Sequence, residues 1–350
     1  MEQQDLFDVI IIGGGPAGLY SAFYSGLREM KTKIIEYQSE LGGKLHIYPE
    51  KMIWDVGGVT PVPGAELMKQ LVEQGLTFNP EVVLNEKVIS INKSNNDIFE
   101  LKTASGQVHM TKTVIVAVGS GILKPQKLKI DGAERFELSN LHYTVQSLHQ
   151  FKDKTVLISG GGNSAIDWAI ELESIAKQVY ITHRRGAFSG HESQITQLIN
   201  SSTVCYFDSS ITKLIASRNH ELIERVVLTN NTTGEVTYLP VDEVVVNHGY
   251  EQDTTLLKNS PLNISMKDDY YISGNALSES SIEGLYAAGD ILTYEGKLNL
   301  IAGAFQDAAN AVNKAKLHIQ PDANSFAMVS SHNDRFKSRN KDLVKKMLKK

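Results

Sequence analysis

One device occurs twice in this chain, and it constrains the fold more than any other feature. Asp8-Val-Ile-Ile-Ile12 is an unbroken apolar run, followed at once by Gly13-Gly-Gly-Pro-Ala-Gly18 and then by Leu19 to Leu27, rich in small residues. Thr155-Val-Leu-Ile158 repeats the run, Gly160-Gly-Gly-Asn-Ser-Ala165 the turn and Ile166 to Ile175 the helix. Continuous apolar runs of this length suit strands buried on both faces of a parallel sheet. In a strand–turn–helix unit each small residue has a mechanical task. Gly13 and Gly160 make the tight turn, Gly15 and Gly162 let the backbone approach a pyrophosphate, and Gly18 and Ala165 allow close packing of helix on strand. The helix N-terminus then offers free N–H groups and positive partial charge to the phosphates. A single glycine turn has a bland alternative, a turn without ligand; two copies, each between a strand and a helix, argue against it.

The end of the next strand selects the ligand. Lys33-Ile-Ile-Glu36 ends in an acid 23 residues after Gly13 (36 − 13), where a carboxylate accepts hydrogen bonds from ribose hydroxyls. Val179-Tyr-Ile-Thr182 runs instead into His183-Arg184-Arg185, and His183 also lies 23 residues after its glycine (183 − 160). A carboxylate repels a 2′-phosphate, whereas guanidinium groups bind one bidentately. The first site is therefore expected to take a dinucleotide without that phosphate and the second to take NADP(H). The plainer reading of the arginine pair is a solvated surface cluster.

Thr113 to Gly119 reads as a return strand of the first domain, and Leu285-Tyr-Ala-Ala-Gly289-Asp290-Ile291 as a second apolar strand ended by glycine and acid. The expected fold class is α/β, with two Rossmann-like, three-layer nucleotide-binding domains, the second inserted in the first. The bounds read as 1–121 and 284–334 for the first, 122–283 for the second and 335–350 for a basic tail. Two domains agree with 350 residues at roughly 100–200 per domain.

With these elements in place the chain resembles the thioredoxin-reductase-like flavoproteins, and within them the ferredoxin–NADP reductases of that type. The likeness runs nearly end to end. It includes Leu41-Gly-Gly-Lys44, Tyr48-Pro-Glu-Lys51, Asp55-Val-Gly-Gly58, His183 through Glu192, Val246-Asn-His-Gly249 and Tyr294-Glu-Gly-Lys297. The resemblance implies FAD on Gly13, Gly15, Pro16, Ala17 and Gly18, with its ribose on Glu36. Lys44, Tyr48, Val88 and Leu123 are then expected along the cofactor, Tyr48 against one ring face and Asp290 on the ribityl chain. NADPH is expected on Gly160, Gly162, Asn163, Ser164, Ala165, His183, Arg184 and Arg185. In the family a C-terminal segment of the partner subunit covers the other ring face; a short alignment puts Val329, followed by Ser330, at that position, with Phe326 and His332 as alternatives. Lys44 stands where the family usually has glutamine, Asn163 where aspartate is common, and Ser189-Gly190 where an arginine is frequent. Trp54 and Trp168 read as packing residues.

The remaining features are exclusions and a choice of partner. The single cysteine, Cys205, cannot form an internal disulfide or a Cys-x-x-Cys pair, and it reads as a small core residue in a reducing cytoplasm. The ten histidines show no metal-ligand spacing. A net charge of −5 argues against a nucleic-acid footprint, and no apolar stretch is long enough to span a membrane. Residues 335–350 carry eight Lys/Arg against one acid, Asp342, and read as a solvated end with docking of an acidic partner as the minor alternative. The expected activity is a flavoprotein reductase passing electrons from NADPH through FAD to ferredoxin or flavodoxin, with a homodimer implied by the resemblance alone. A disulfide or quinone reductase, an NADPH oxidase on the same scaffold and a redox-sensing module without turnover are the rivals. No catalytic side chain is expected, because the flavin carries the chemistry.

Overall fold

A computed structural model describes residues 5–121, 124–329 and 332–348. The chain divides into two compact units. One comprises Met1–His46, Met52–Ile122 and Gln252–Lys350, the other Ile47–Lys51 and Leu123–Glu251.

The first unit is built on a seven-stranded sheet. Leu6–Ile12 lies between Thr32–Ile35 and Val108–Val116, parallel to both, and Glu81–Val83 extends the parallel side. The nine-residue strand Val108–Val116 changes neighbour along its length: its first half pairs antiparallel with Phe99–Thr103, its second half parallel with Leu285–Ala287. The central strand is apolar because it is covered on both faces. Val9 and Ile11 share one core with the small side of helix α1 (Pro16–Leu27), while Ile10 and Ile12 share the other with Val114 and Leu285. Helix α2 (Gly64–Gly75) follows α1 in this unit. Helix α6 (Ile301–Ile319) lays Ala304, Ala308, Ala311 and Ala315 into the α1 core; small residues at this spacing allow close helix approach.

The second unit has a five-stranded parallel sheet in the order Val204–Tyr206, Gln178–Thr182, Thr155–Ser159, Glu243–Val246, Leu141–His142. Helix α3 (Asn163–Glu173) crosses from the second-copy turn, and α4 (Glu192–Ile199) follows it. An antiparallel sheet of Ser209–Ala216, Ile223–Asn230 and Val236–Pro240 completes the unit.

Three expectations need correction. Gln252–Glu283 belongs to the first unit, not to the insertion. The short helix α5 (Thr255–Lys258) supplies Leu256 and Leu257 to the core that holds Val88 and Ile91, and Ser260 Oγ accepts the Ile91 N–H at 2.9 Å. Residues 47–51, expected in the first domain, cluster with the second unit. Lys51 Nζ donates to Asp167 Oδ2 at 2.7 Å, and Glu50 Oε2 accepts the Leu148 N–H at 2.6 Å. Trp168 is buried as a packing residue, but Trp54 is 74% exposed, next to the two-residue strand Met52–Ile53. The basic end, expected to be solvated, is exposed and helical. Helix α7 (Lys337–Met347) is anchored at its start, where Phe336 packs on Phe78 and Arg339 donates to the Thr77 carbonyl at 2.6 Å. Among the described residues no helix is long and apolar enough to cross a membrane.

Candidate functional site

The two glycine turns, one in each unit, share a plan that separates two reasons for being small. A Cβ on Gly13 would collide with the Ala117 carbonyl oxygen, and one on Gly18 with that of Gly13. In the second unit a Cβ on Gly160 would collide with the Asn247 carbonyl oxygen and stand 2.8 Å from the Ala165 methyl. These first and last positions are small because the protein's own backbone fills the space. The middle glycines are not confined in this way. A Cβ on Gly15 would meet Gly43 Cα at 3.7 Å, an ordinary contact, and one on Gly162 would meet nothing within 4 Å among the described residues. Their backbones are extended, φ −77° at Gly15 and −94° at Gly162, open to any residue. Neither conformation nor packing explains glycine there. The open space lies before the N-termini of α1 and α3, which have no side-chain cap and no acid in the first turn. Unfilled room facing free N–H groups fits a pyrophosphate in both turns.

The residue after the next strand sits beneath each turn. The register pairs Ile12 with Ile35 and Ser159 with Thr182, so Glu36 and His183 occupy matching places. Glu36 is buried. Its Oε2 accepts the Gly14 N–H at 2.5 Å and its Oε1 the Gln38 N–H at 2.7 Å, which orients the carboxylate and leaves each oxygen capacity for a hydroxyl. His183 lies so close under Gly161 that a Cβ there would strike its ring. The backbone beyond it is pinned: Asn231 Nδ2 donates to the Arg184 carbonyl at 3.1 Å and the Asp208 N–H to that of Arg185 at 3.2 Å. Both arginine side chains are exposed, and among the described residues neither guanidinium has an ion-pair partner. A fixed backbone thus presents two exposed cations that are not held in an ion pair among the described residues.

The basic pair also acts on its neighbours. Burial, then Arg185 and Arg184, hold the His183 imidazole below its usual range; burial, Arg184 and His183 do the same to His248, whose Nε2 meets Ser159 Oγ at 2.8 Å. Both rings are therefore favoured neutral in the folded chain, while the unfolded chain takes up the protons first on acidification. Their contribution to stability is present above the unfolded value of about 6.5 and is lost as pH falls through the folded values. The melting temperature is expected to drop between about pH 7.5 and about pH 5.5, and less so in His183→Asn. An equal drop in that variant would remove His183 from the explanation.

In the first unit the turn gathers further expected residues. The Gly42 N–H donates to the Gly14 carbonyl at 2.9 Å, and a Cβ on Gly43 (φ +59°) would stand 2.7 Å from Gly15 Cα, so the Leu41–Lys44 loop lies on the turn. Lys44 is exposed there. Gly289 (φ +78°) also comes close: its Cβ would stand 3.0 Å from the Ala17 methyl, which brings Asp290 to the start of α1. Other expected residues are not gathered. Val88 is buried in the sheet core. Tyr48 packs against the second unit's core. Val329 is 62% exposed, two residues beyond Ala327, whose N–H meets the Tyr24 hydroxyl at 3.4 Å. Tyr24 is eight residues along α1 from Pro16, roughly 12 Å from the turn at 1.5 Å per residue. Leu123 and Ser330 lie outside the described residues. In the second unit Asn163 Oδ1 accepts the His191 N–H at 2.9 Å, and Ser189 N–H donates to the Gly161 carbonyl at 2.8 Å, so Ser189-Gly190 closes over the turn. Ser164 is exposed on the first turn of α3.

Two acids that matter escaped the sequence reading. Asp167 receives Lys51 and Gln194, and Asp307 receives Gly289, Tyr294 and Lys297. The available signal for Asp307 was an acid among Ala304, Ala308 and Ala311, on what is otherwise an apolar helix face.

Residues 7–315 match the pyridine nucleotide-disulphide oxidoreductase family, and the chain belongs to it. It is 69% identical over 349 residues, the whole of both chains, to ferredoxin–NADP reductase 1 of Bacillus mycoides. It is 66% identical to ferredoxin–NADP reductase 2 of Exiguobacterium sibiricum, over 99% of each chain. Among solved structures it is similar to Lactococcus lactis thioredoxin reductase in the FR conformation, with a TM-score of 0.73 and 26% identity over 89% of this chain and 99% of that one. It is an NADPH-dependent flavoprotein reductase of the two-Rossmann-domain type, with FAD and NADPH as cofactors.

Proposed function

We propose that this enzyme delivers electrons from NADPH, by way of FAD, to a one-electron carrier protein, ferredoxin or flavodoxin, and that it does so as a cytoplasmic homodimer. The observation that carries the reading is the pair of open glycine turns with opposite partners, a carboxylate under one and a basic cluster beside the other, in a chain with one cysteine. The full-length relatives named ferredoxin–NADP reductase support the choice of carrier. Bound FAD supplies the change from two-electron to one-electron transfer. The protein's part is placement. Gly13 to Gly18 and the N-terminus of α1 hold the flavin pyrophosphate, Glu36 orients its ribose, and Lys44 and Asp290 reach the same ligand from the two flanking loops. Gly160 to Ala165 hold the NADPH pyrophosphate, and Arg184 and Arg185 pair with the 2′-phosphate. Tyr48, Val88, Leu123, Val329 and Ser330 remain proposed contacts on the resemblance alone. No proton transfer is assigned to a side chain.

The family's name raises a second reading, reduction of a disulfide. That chemistry needs a thiolate at the flavin. Cys205 is half-buried on the strand Val204–Tyr206 against the second unit's core, and burial pushes its thiol up. Cys205→Ser is expected to keep dye-reducing and carrier-reducing rates within about twofold of the parent, since no thiolate is involved. Loss of activity with FAD still bound would revive the disulfide reading. The carrier itself is tested by comparing ferredoxin, flavodoxin, thioredoxin with a disulfide, and a quinone as acceptors under one NADPH concentration. A kcat/KM for ferredoxin and flavodoxin no better than for the others would reject the proposal.

A further inference from the structure

Asp307 is a carboxylate on the buried face of α6, fully inaccessible to solvent, among the alanines with which that helix enters a hydrophobic core. Burying an unpaired charge there is costly, so its partners define what it is for. Three donors converge on it. Lys297 Nζ donates to Oδ2, with the lysine side chain 6% exposed; the Tyr294 hydroxyl donates to Oδ1 at 2.9 Å; and the Gly289 N–H donates to Oδ2 at 3.0 Å. Two of the three come from Tyr294-Glu-Gly-Lys297. That segment is a tight turn: the Lys297 N–H returns to the Tyr294 carbonyl at 3.3 Å, and Gly296 takes φ +83°, where a side chain would be strained. The turn sends Tyr294 and Lys297 back to one carboxylate, and the desolvated, hydrogen-bonded phenol is pushed up to about 12. The third donor is the residue before Asp290. Gly289 also has positive φ, and it stands against Ala17 in the first turn of α1.

We propose that Asp307 is a positioning residue for the flavin site, and that Tyr294 and Lys297 serve to charge-balance and aim its carboxylate so that it holds the Gly289 N–H and sets Asp290 beside the phosphate turn. This rests on the reading of Asp290 as a flavin contact. The clamp acts on ligand binding through backbone placement, a role distinct from stabilising the core. An apolar pair of similar volume can replace a buried ion pair without loss of stability, yet it offers no acceptor to Gly289.

The test is the double variant Asp307→Leu/Lys297→Met, compared with the parent, with Asp290→Asn and with Tyr294→Phe. The apoproteins are measured for melting temperature and for FAD dissociation constant, the reconstituted proteins for flavin midpoint potential, and all for binding of 2′,5′-ADP to the second unit. The double variant is expected to melt within a few degrees of the parent, to bind FAD at least tenfold more weakly, to shift the midpoint potential and to bind 2′,5′-ADP unchanged. Parental FAD affinity and potential in a folded double variant would overturn the inference and leave Asp307 a core residue only. If the double variant does not fold, Tyr294→Phe decides, because it keeps the ion pair: a several-fold weaker FAD affinity supports the clamp and an unchanged one rejects it. Asp290→Asn separates the two readings. Unchanged FAD affinity in that variant would discard Asp290 as a flavin contact, and a loss there with none in the clamp variants would discard the clamp alone.

Discussion

A Gly162→Val variant is expected to fold normally and to bind NADPH about 100-fold or more weakly than the parent. A Cβ on Gly162 meets no described atom within 4 Å, and the residue is in extended conformation before α3, so a branched side chain is accommodated. The cost to stability is that of a poorer N-cap, about 1 kcal/mol. The cost to binding is larger, because the new side chain takes the space through which phosphate oxygens reach the helix N–H groups. Losing two such charge-assisted bonds at roughly 1.5–3 kcal/mol each gives the stated factor. Calorimetric titration with NADP+ and thermal melting in parallel are the measurements. Parental affinity in a normally melting Gly162→Val would refute the placement of the pyrophosphate. Gly15→Ala is the companion in the first unit and should yield a folded protein with weakened FAD binding. Gly18→Ala should not fold, since its methyl would strike the Gly13 carbonyl.

Arg184→Ala and Arg185→Ala are each expected to raise the KM for NADPH by roughly tenfold to a hundredfold, at about 1.5–3 kcal/mol for a lost charge-assisted contact, and to change that for NADH little. The exposure of both side chains adds a second expectation. A contact open to solvent is screened, so the parent's preference for NADPH over NADH should shrink as ionic strength rises, and in the double variant it should be weak at every ionic strength. Steady-state kinetics with a dye acceptor at low and high salt measure both effects. Equal losses with the two nucleotides would show that the arginines support the fold of the loop and not the 2′-phosphate.

Several readings went astray for a common reason. Tyr48 and Lys51 precede the second unit by a long stretch of sequence, and what ties their segment to it is tertiary: the Lys51–Asp167 pair, the Glu50–Leu148 hydrogen bond and the packing of Tyr48 on that unit's core. Gln252–Glu283 carries no glycine signature to announce a return to the first unit; its membership follows from Leu256, Leu257 and Tyr270 entering that core. Trp54 looks like a core residue by type, and its exposure depends on a two-stranded hairpin that no pattern in its neighbourhood reveals. Each depends on a partner far away in the chain.

What the sequence determined alone is therefore the local machinery. Strand, glycine turn, helix and the residue 23 positions on are set by short-range sterics, by the period of apolar residues and by a fixed strand–helix–strand length, so Gly13 to Glu36 and Gly160 to Arg185 were legible without coordinates. Only the tertiary structure gave the division of roles among the glycines its physical ground, because which backbone atoms fill the space beside Gly13, Gly18 and Gly160, and leave it open beside Gly15 and Gly162, depends on distant parts of the chain. It also decided what Tyr294 and Lys297 do. Their target lies on α6 and is buried, and hydrogen bonds to a buried carboxylate depend on how a helix packs, which the one-dimensional pattern does not encode.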